Sequence, residues 1–157
     1  MQETVNKKAT ASLAMFVYKT AKIGGDSIID ILPKIKDGKR IGEAEKMREE
    51  LSRQFSEYEE IAAEAEAYLK SIDVQAKEEN IVTKISAKAG IMMNTMKDPS
   101  PSHIAEMMMQ GLTMGIAEVT SKVRDSRETS CDEKMLELAD RFVSFQEDAV
   151  DKIKAFL

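Results

Sequence analysis

The sequence predicts an all-α protein that folds as an up-and-down four-helix bundle, in a single domain spanning residues 1–157. Apolar residues recur at intervals of three and four along four long stretches, which is the period of an amphipathic helix. Glycine and proline are scarce, with seven and three residues, and no convincing strand pattern interrupts the helical stretches. Short predicted loops make consecutive helices antiparallel neighbours. A three-helix bundle with a long extra arm is the alternative.

The first helix is predicted from about Thr4 to Ile35. Gly24 and Gly25 interrupt its apolar pattern, so either another helix approaches closely there or the helix bends. Pro33 disturbs the final turn, and the Asp-Gly pair at 37–38 indicates a loop.

The second helix has the clearest pattern and is predicted over residues 43–72. Charged residues lie opposite an apolar seam that is nearly a heptad repeat. The residues of that seam are Ala44, Met47, Leu51, Phe55, Tyr58, Ala62, Ala65, Leu69 and Ile72.

The third helix is predicted to be broken near Asp98–Ser102. Asp98 precedes a proline, which disfavours helical geometry for it. Its two parts are expected over Ile81–Met96 and Pro101–Arg124, with Ser100 as the N-cap of the second part. A fourth helix is predicted from about Asp132 to Leu157.

The charge pattern argues against a nucleic-acid partner. The chain has a formal net charge of −5, and its basic residues are dispersed. The exception is a small group in the loop after the first helix: Lys34, Lys36, Lys39 and Arg40. Nucleic-acid-binding proteins usually present a basic stripe, because neutralised phosphates supply much of their affinity.

Cysteine content and hydropathy favour a cytoplasmic protein. The single cysteine, Cys131, excludes an internal disulfide and fits a reducing compartment. No apolar run approaches the roughly 20 residues that a membrane span needs, so no membrane partner is expected. With no second cysteine or histidine nearby in the sequence, Cys131 is interpreted as incidental.

Residues 103–115, HIAEMMMQGLTMG, contain the only histidine and four methionines. Thioethers bind Cu(I), and His103 and Met107 are spaced to share one helical face. The alternative is that the methionines fill the core or form a contact surface, because methionine adapts to irregular packing. Copper-handling proteins normally expose dense Met-x-x-Met arrays. We therefore expect packing and contact here, with a structural His103 and no cofactor.

The same segment predicts a contact between two copies of the chain. Three consecutive methionines cover well over half of a helix circumference, so at least one should face away from its own core. The Gly-x-x-x-Gly pair thins one helix face, and each mid-helix glycine costs up to about 1 kcal/mol relative to alanine. The predicted homodimer interface consists of Met107, Met108, Met109, Gly111 and Gly115.

The helical pattern resembles the ferritin-like, rubrerythrin-type family of small bacterial four-helix bundles. The similarity lies in LSRQFSEYEEIAAEAEAYL of the second helix, LADRFVSFQEDAVDKIKAFL of the fourth, and GIAEV around Glu118. The family's chemistry needs two Glu-x-x-His pairs and two further glutamates pointing inward. Their equivalents here are Gln146 with Ala149 on the fourth helix, and Gln54 with Glu57, or Glu57 with Glu60, on the second; the single carboxylates would be Asp26 and Glu118.

The resemblance therefore implies a scaffold that has lost its di-iron centre, because the histidine ligands are absent. We predict a non-catalytic protein that acts through self-association or protein–protein contact. One alternative is a metal-binding protein with a degenerate carboxylate site for Mn²⁺ or Mg²⁺. That site would be formed by Asp26, Glu57, Glu60 and Glu118. The other alternative is a carrier of a small apolar ligand, bound beside the glycines.

Overall fold

The computed structural model describes residues 4–76 and 96–157, which form four α-helices and no strand. The helices are α1 (Lys7–Ile31), α2 (Glu43–Ser71), α3 (Pro101–Arg127) and α4 (Glu133–Lys154), and a short 3₁₀ turn, Leu32–Lys34, follows α1. The predicted all-α, four-helix architecture is confirmed. Within the described ranges, no helix is long and apolar enough to cross a bilayer.

Contacts between the described helices give their relative directions. The main contacts are those of α1 with α2 and of α3 with α4, two pairs joined by short loops. α1 and α3 also run antiparallel, because Lys122 late in α3 donates to Ser12 early in α1 (2.9 Å). At the other end, the Lys36 N–H after α1 donates to the Pro99 carbonyl before α3 (3.0 Å). Consequently α2 and α3 run parallel.

The predicted up-and-down order stays a prediction, because the first part of the third helix was expected between α2 and α3, outside the described residues. Among the described helices, α2 and α3 start at the same end of the bundle. The neighbours around the bundle follow the order α1, α2, α4, α3.

The start of α3 agrees with the sequence. The helix begins at Pro101, whose missing N–H costs nothing in the first turn. Ser100 is the N-cap in extended geometry, but its side chain makes no capping bond. Instead, the Asp98 carboxylate accepts from the Ser100 N–H (2.9 Å). The predicted first part, Ile81–Met96, lies outside the described residues except for Met96, which is not helical, so the break remains a prediction.

α1 is continuous through its two glycines, and α2 approaches α1 closely at this place. A Cβ at Gly24 would lie 2.9 Å from Cδ1 of Tyr58 and closer still to two other ring carbons. α1 ends at Ile31, earlier than predicted, because Pro33 cannot donate the next helical hydrogen bond. The Tyr58 ring extends from this site to α4. It makes edge-to-face contacts with Phe142 and Phe145, at centroid distances of 6.1 and 4.8 Å.

The buried seam of α2 contains a polar residue that the apolar pattern did not predict. Gln54 is completely buried, whereas Phe55, which was predicted to be inward, is half-buried. Positions 47, 51, 54, 58, 61 and 65 alternate in steps of four and three and are all buried. The seam as a whole therefore determines which side of α2 faces the core. Gln54 is buried because it lies on that side among apolar neighbours.

The loop before α2 is held by one carboxylate. Asp37 accepts from the N–H groups of Gly42 and Ala44, each at 2.9 Å. Gly42 has a φ of 86°, a left-handed conformation that favours glycine. The hydrogen bonds from these two N–H groups lower the pKa of Asp37. The charged carboxylate thus replaces a missing side-chain cap at the N-terminus of α2.

We expect Gly24→Ala to destabilise the protein. The added methyl group would overlap the Tyr58 ring, and overpacking of this kind typically costs about 1–3 kcal/mol. Urea denaturation followed by circular dichroism measures the change. An unfolding free energy equal to or above that of the wild type would show that the ring moves aside without cost.

We expect the contribution of Asp37 to stability to depend on pH. Because its folded-state pKa is lowered, the contribution is complete above the unfolded pKa near 3.9 and is lost as the pH falls through the folded value. Asp37→Asn should therefore lower the urea midpoint at pH 7 and change it less at strongly acidic pH. Equal effects at both pH values would contradict the capping role.

Candidate contact face and bundle interior

The three consecutive methionines are placed differently by α3. All three are half-buried. Met108 and Met109 pack against the core, whereas Met107 is not among the described residues that do so. Met107 belongs to a second row with Gly111, Met114 and Glu118, which follow at helical spacings of four, three and four. We call these four residues the α3 outer stripe.

The two glycines of α3 face different surroundings. Apart from its two chain neighbours and the backbone of its own helix, no described residue lies within 4 Å of a Cβ built at Gly111. At Gly115, which is buried, a Cβ would overlap Nε2 of Gln146 and lie 3.5 Å from its Cδ. Gly115 therefore makes room for a side chain of α4 within the same chain. Of the two glycines, Gly111 is the one whose Cβ position has no neighbouring side chain among the described residues.

The α3 outer stripe lies beside α1. Lys122, one turn beyond Glu118, donates to Ser12 and lies 6.0 Å from the centre of the Phe16 ring. Ile23 follows Phe16 by two turns on the same side of α1, and it is half-buried. Because α1 and α3 are antiparallel, Ile23 is level with Met114. The stripe and Ile23 thus lie on adjoining sides of the two helices.

The carboxylates of the alternative metal site are not brought together. Asp26, Glu60 and Glu118 are exposed, and Glu57 is half-buried. Glu60 pairs instead with Arg141 of α4, at 3.5 Å. Across residues 4–76 and 96–157, no three histidine, cysteine or acidic side chains form a group that could hold a metal ion.

The residues equivalent to the family's ligands do not fit a di-iron centre either. Gln54 and Gln146 are buried, with 0% and 3% of their surface exposed, and both side chains are neutral amides. Ala149 is buried and has no donor atom. Asp26 and Glu118, the proposed single carboxylates, lie on the surface rather than in this interior. The described residues therefore offer no ligand set for that centre.

His103 and Cys131 lie at different places, in the first turn of α3 and just before α4. His103 is half-exposed in the first turn of α3, with Nδ1 3.9 Å from a carboxylate oxygen of Glu106. Cys131 is buried beside Thr129, whose hydroxyl lies 3.8 Å from its sulfur. Neither residue contacts the α3 outer stripe through a described interaction.

The interior contains one polar feature whose burial the sequence reasoning missed. The Oε1 atoms of Gln54 and Gln146 are buried, and no described group donates a hydrogen bond to either. Gln54 occupies a core position of the four-three seam, and Gln146 stands opposite a glycine. The spacing of the buried positions along α2 could have predicted the burial of Gln54. The sequence pattern favoured Phe55 instead, because Phe55 is the more apolar of the two neighbours.

Comparison of the chain with protein-family models, with curated proteins and with solved structures finds no match.

We expect alanine substitutions at the two α3 glycines to have opposite effects. Gly111→Ala should raise the unfolding free energy by up to about 1 kcal/mol, because helix propensity improves and the described surroundings leave room. Gly115→Ala should lower it, because the methyl group displaces the buried Gln146 amide at a typical cost of about 1–3 kcal/mol. Thermal and urea denaturation of both variants measure the difference. A stabilised Gly115→Ala would contradict the interior role.

Proposed function

We propose that this protein is a non-catalytic helical bundle that acts through contact with a second copy of itself. The observation that carries the proposal is the α3 outer stripe. Met107 and Met114 remain half-exposed on both sides of Gly111, and no described residue fills the space at that glycine. Flexible thioether side chains around a bare backbone offer a surface on which another helix can pack closely.

A second copy suits this surface because the same stripe can face itself across a two-fold axis. Such a contact is self-complementary, since each residue meets the equivalent row of the partner. The absence of a side chain at Gly111 allows two helices to approach closely at that point, as in other small-residue helix pairs. Ile23 extends the apolar area onto α1, so the contact would use residues of both helices.

We also propose that the bundle is ferritin-like without the di-iron chemistry of that family. The parallel directions of the described α2 and α3 support this assignment, because bundles with one long crossover, ferritin-like folds among them, contain such a parallel pair. The amides of Gln54 and Gln146 and the methyl group of Ala149 support a scaffold role rather than a redox role.

Metal analysis of the purified chain distinguishes the scaffold role from the metal-binding alternative. We expect less than stoichiometric iron and manganese after purification without chelators. Stoichiometric metal that is lost from a Glu57→Gln, Glu60→Gln variant would overturn the scaffold proposal and support a carboxylate site.

We expect Gly111→Leu to weaken self-association by at least about tenfold in Kd while leaving the helical content unchanged. The isobutyl group would hold two stripes apart, but no described neighbour opposes it within the chain. Sedimentation velocity over a concentration series measures the dimer, and circular dichroism measures the fold.

Thr113→Leu is the matched control for this experiment. Thr113 is exposed on the same helix, and its position two residues from Gly111 places it on a different side. The control should dimerise like the wild type. A wild type that remains monomeric throughout the series, or equal weakening by both substitutions, would overturn the proposed contact.

A further inference from the structure

Gln54 of α2 and Gln146 of α4 lie in one layer of the bundle interior. Tyr58 is one turn after Gln54, Phe142 is one turn before Gln146, and these two rings meet edge to face at 6.1 Å. α2 and α4 are antiparallel. The position one turn before Tyr58 and the position one turn after Phe142 are therefore at the same level of the bundle, and they are Gln54 and Gln146.

A contact on the rim of the bundle supports this register. Arg53, the residue before Gln54, lies 3.6 Å from the carboxylate of Asp148, two residues beyond Gln146. Both glutamines are buried, with 0% and 3% of their surface exposed. The two amides therefore form a polar layer of the core, and they are the buried amide side chains among the described residues.

The amide nitrogens of this layer have identified surroundings. Nε2 of Gln54 donates to a carboxylate oxygen of Glu50 at 3.4 Å. Nε2 of Gln146 lies over Gly115, in the space that a side chain there would occupy. The two Oε1 atoms differ, because no described group donates to either of them.

A buried carbonyl oxygen without a donor is costly, and native interiors normally satisfy such atoms with protein groups or with ordered water. Two such oxygens in one layer are unlike the rest of this core, which has no other buried side-chain polar atom without a partner among the described residues. A single donor molecule with two hydrogens, placed between them, would satisfy both oxygens.

The acidic side chain that contacts Gln54 is already paired with an arginine, which favours a neutral occupant. Glu50 is the nearest acidic partner, and it already binds Arg53 through two bonds of 2.6 and 2.9 Å. Burial opposes ionisation of Glu50, but the hydrogen bonds from Arg53 and Gln54 outweigh it and lower its pKa. Glu50 is thus a charged but paired carboxylate, and burial raises the pKa of Tyr58, so that side chain remains neutral.

We propose that Gln54 and Gln146 form an internal binding site for one small neutral hydrogen-bond donor that bridges their two carbonyl oxygens. The ligand chemistry is an O–H donor, supplied either by a water molecule or by a small hydroxyl compound. Gly115 is part of the site, because it lets the Gln146 amide reach its place in the layer. This inference does not depend on the proposed self-association.

A double-mutant cycle tests the bridge on the full chain. Gln54→Met and Gln146→Met each remove one acceptor and leave the other oxygen without its shared donor, so each should raise the equilibrium constant for unfolding by on the order of tenfold. The double variant removes both acceptors and should be no less stable than either single variant. Gln110→Met, at an exposed position of α3, should change little.

Additive effects, or single variants that are each more stable than the wild type, would overturn the bridge. A high-resolution crystal structure supplies the second measurement. Density for a donor within hydrogen-bond distance of both Oε1 atoms supports the site, and its size, together with native mass spectrometry, distinguishes water from a hydroxyl compound. A direct amide–amide contact, or continuous apolar packing in this layer, would overturn the proposal even if a variant failed to fold.

Discussion

The packing of the Tyr58 ring is the contact on which the rest of the bundle depends. The ring leaves α2, lies against the bare backbone of Gly24 on α1, and reaches Phe142 and Phe145 on α4. Three helices thus share one side chain. Edge-to-face aromatic pairs contribute beyond the area they bury, and the close approach at Gly24 leaves little freedom for α1 to slide along α2.

That register determines what lies one turn away. With Tyr58 placed between α1 and α4, the preceding core position of α2 is Gln54, and the facing position of α4 is Gln146. A polar pair in the core costs stability unless it is satisfied, but it also disfavours other alignments of the helices, because a shifted register would bury each amide against apolar side chains. The aromatic cluster and the amide layer therefore specify the same alignment.

The outward side of α3 is related to this interior through its two glycines. Gly115 faces inward and accommodates Gln146, whereas no described side chain approaches the Cβ position of Gly111, one turn earlier. The same small-residue spacing thus serves two different surfaces. This division explains how one short segment can contain both a core contact and the face that we propose for a second copy.

The sequence by itself determined the helical class, most helix ends and the inward faces. Apolar periodicity sufficed for these features, because burying one stripe of a helix is a local requirement that each segment records in its own residues. Pro101 and Asp132 mark the starts of α3 and α4 for similarly local reasons. The sequence also showed that a di-iron site of the family's type would lack its histidine ligands, because the chain contains one histidine.

Only the tertiary structure decided the direction of α3, the burial of Gln54 and the different roles of Gly111 and Gly115. Each of these features depends on which helix lies opposite, and the residue pattern of one helix does not predict the position of its neighbour. Gln54 illustrates the reason most clearly: its own polarity favours the surface, but the apolar residues before and after it bury more area when the whole seam faces inward. The apolar area buried along the whole seam determines which side of α2 faces inward, and Gln54 is buried because it lies on that side.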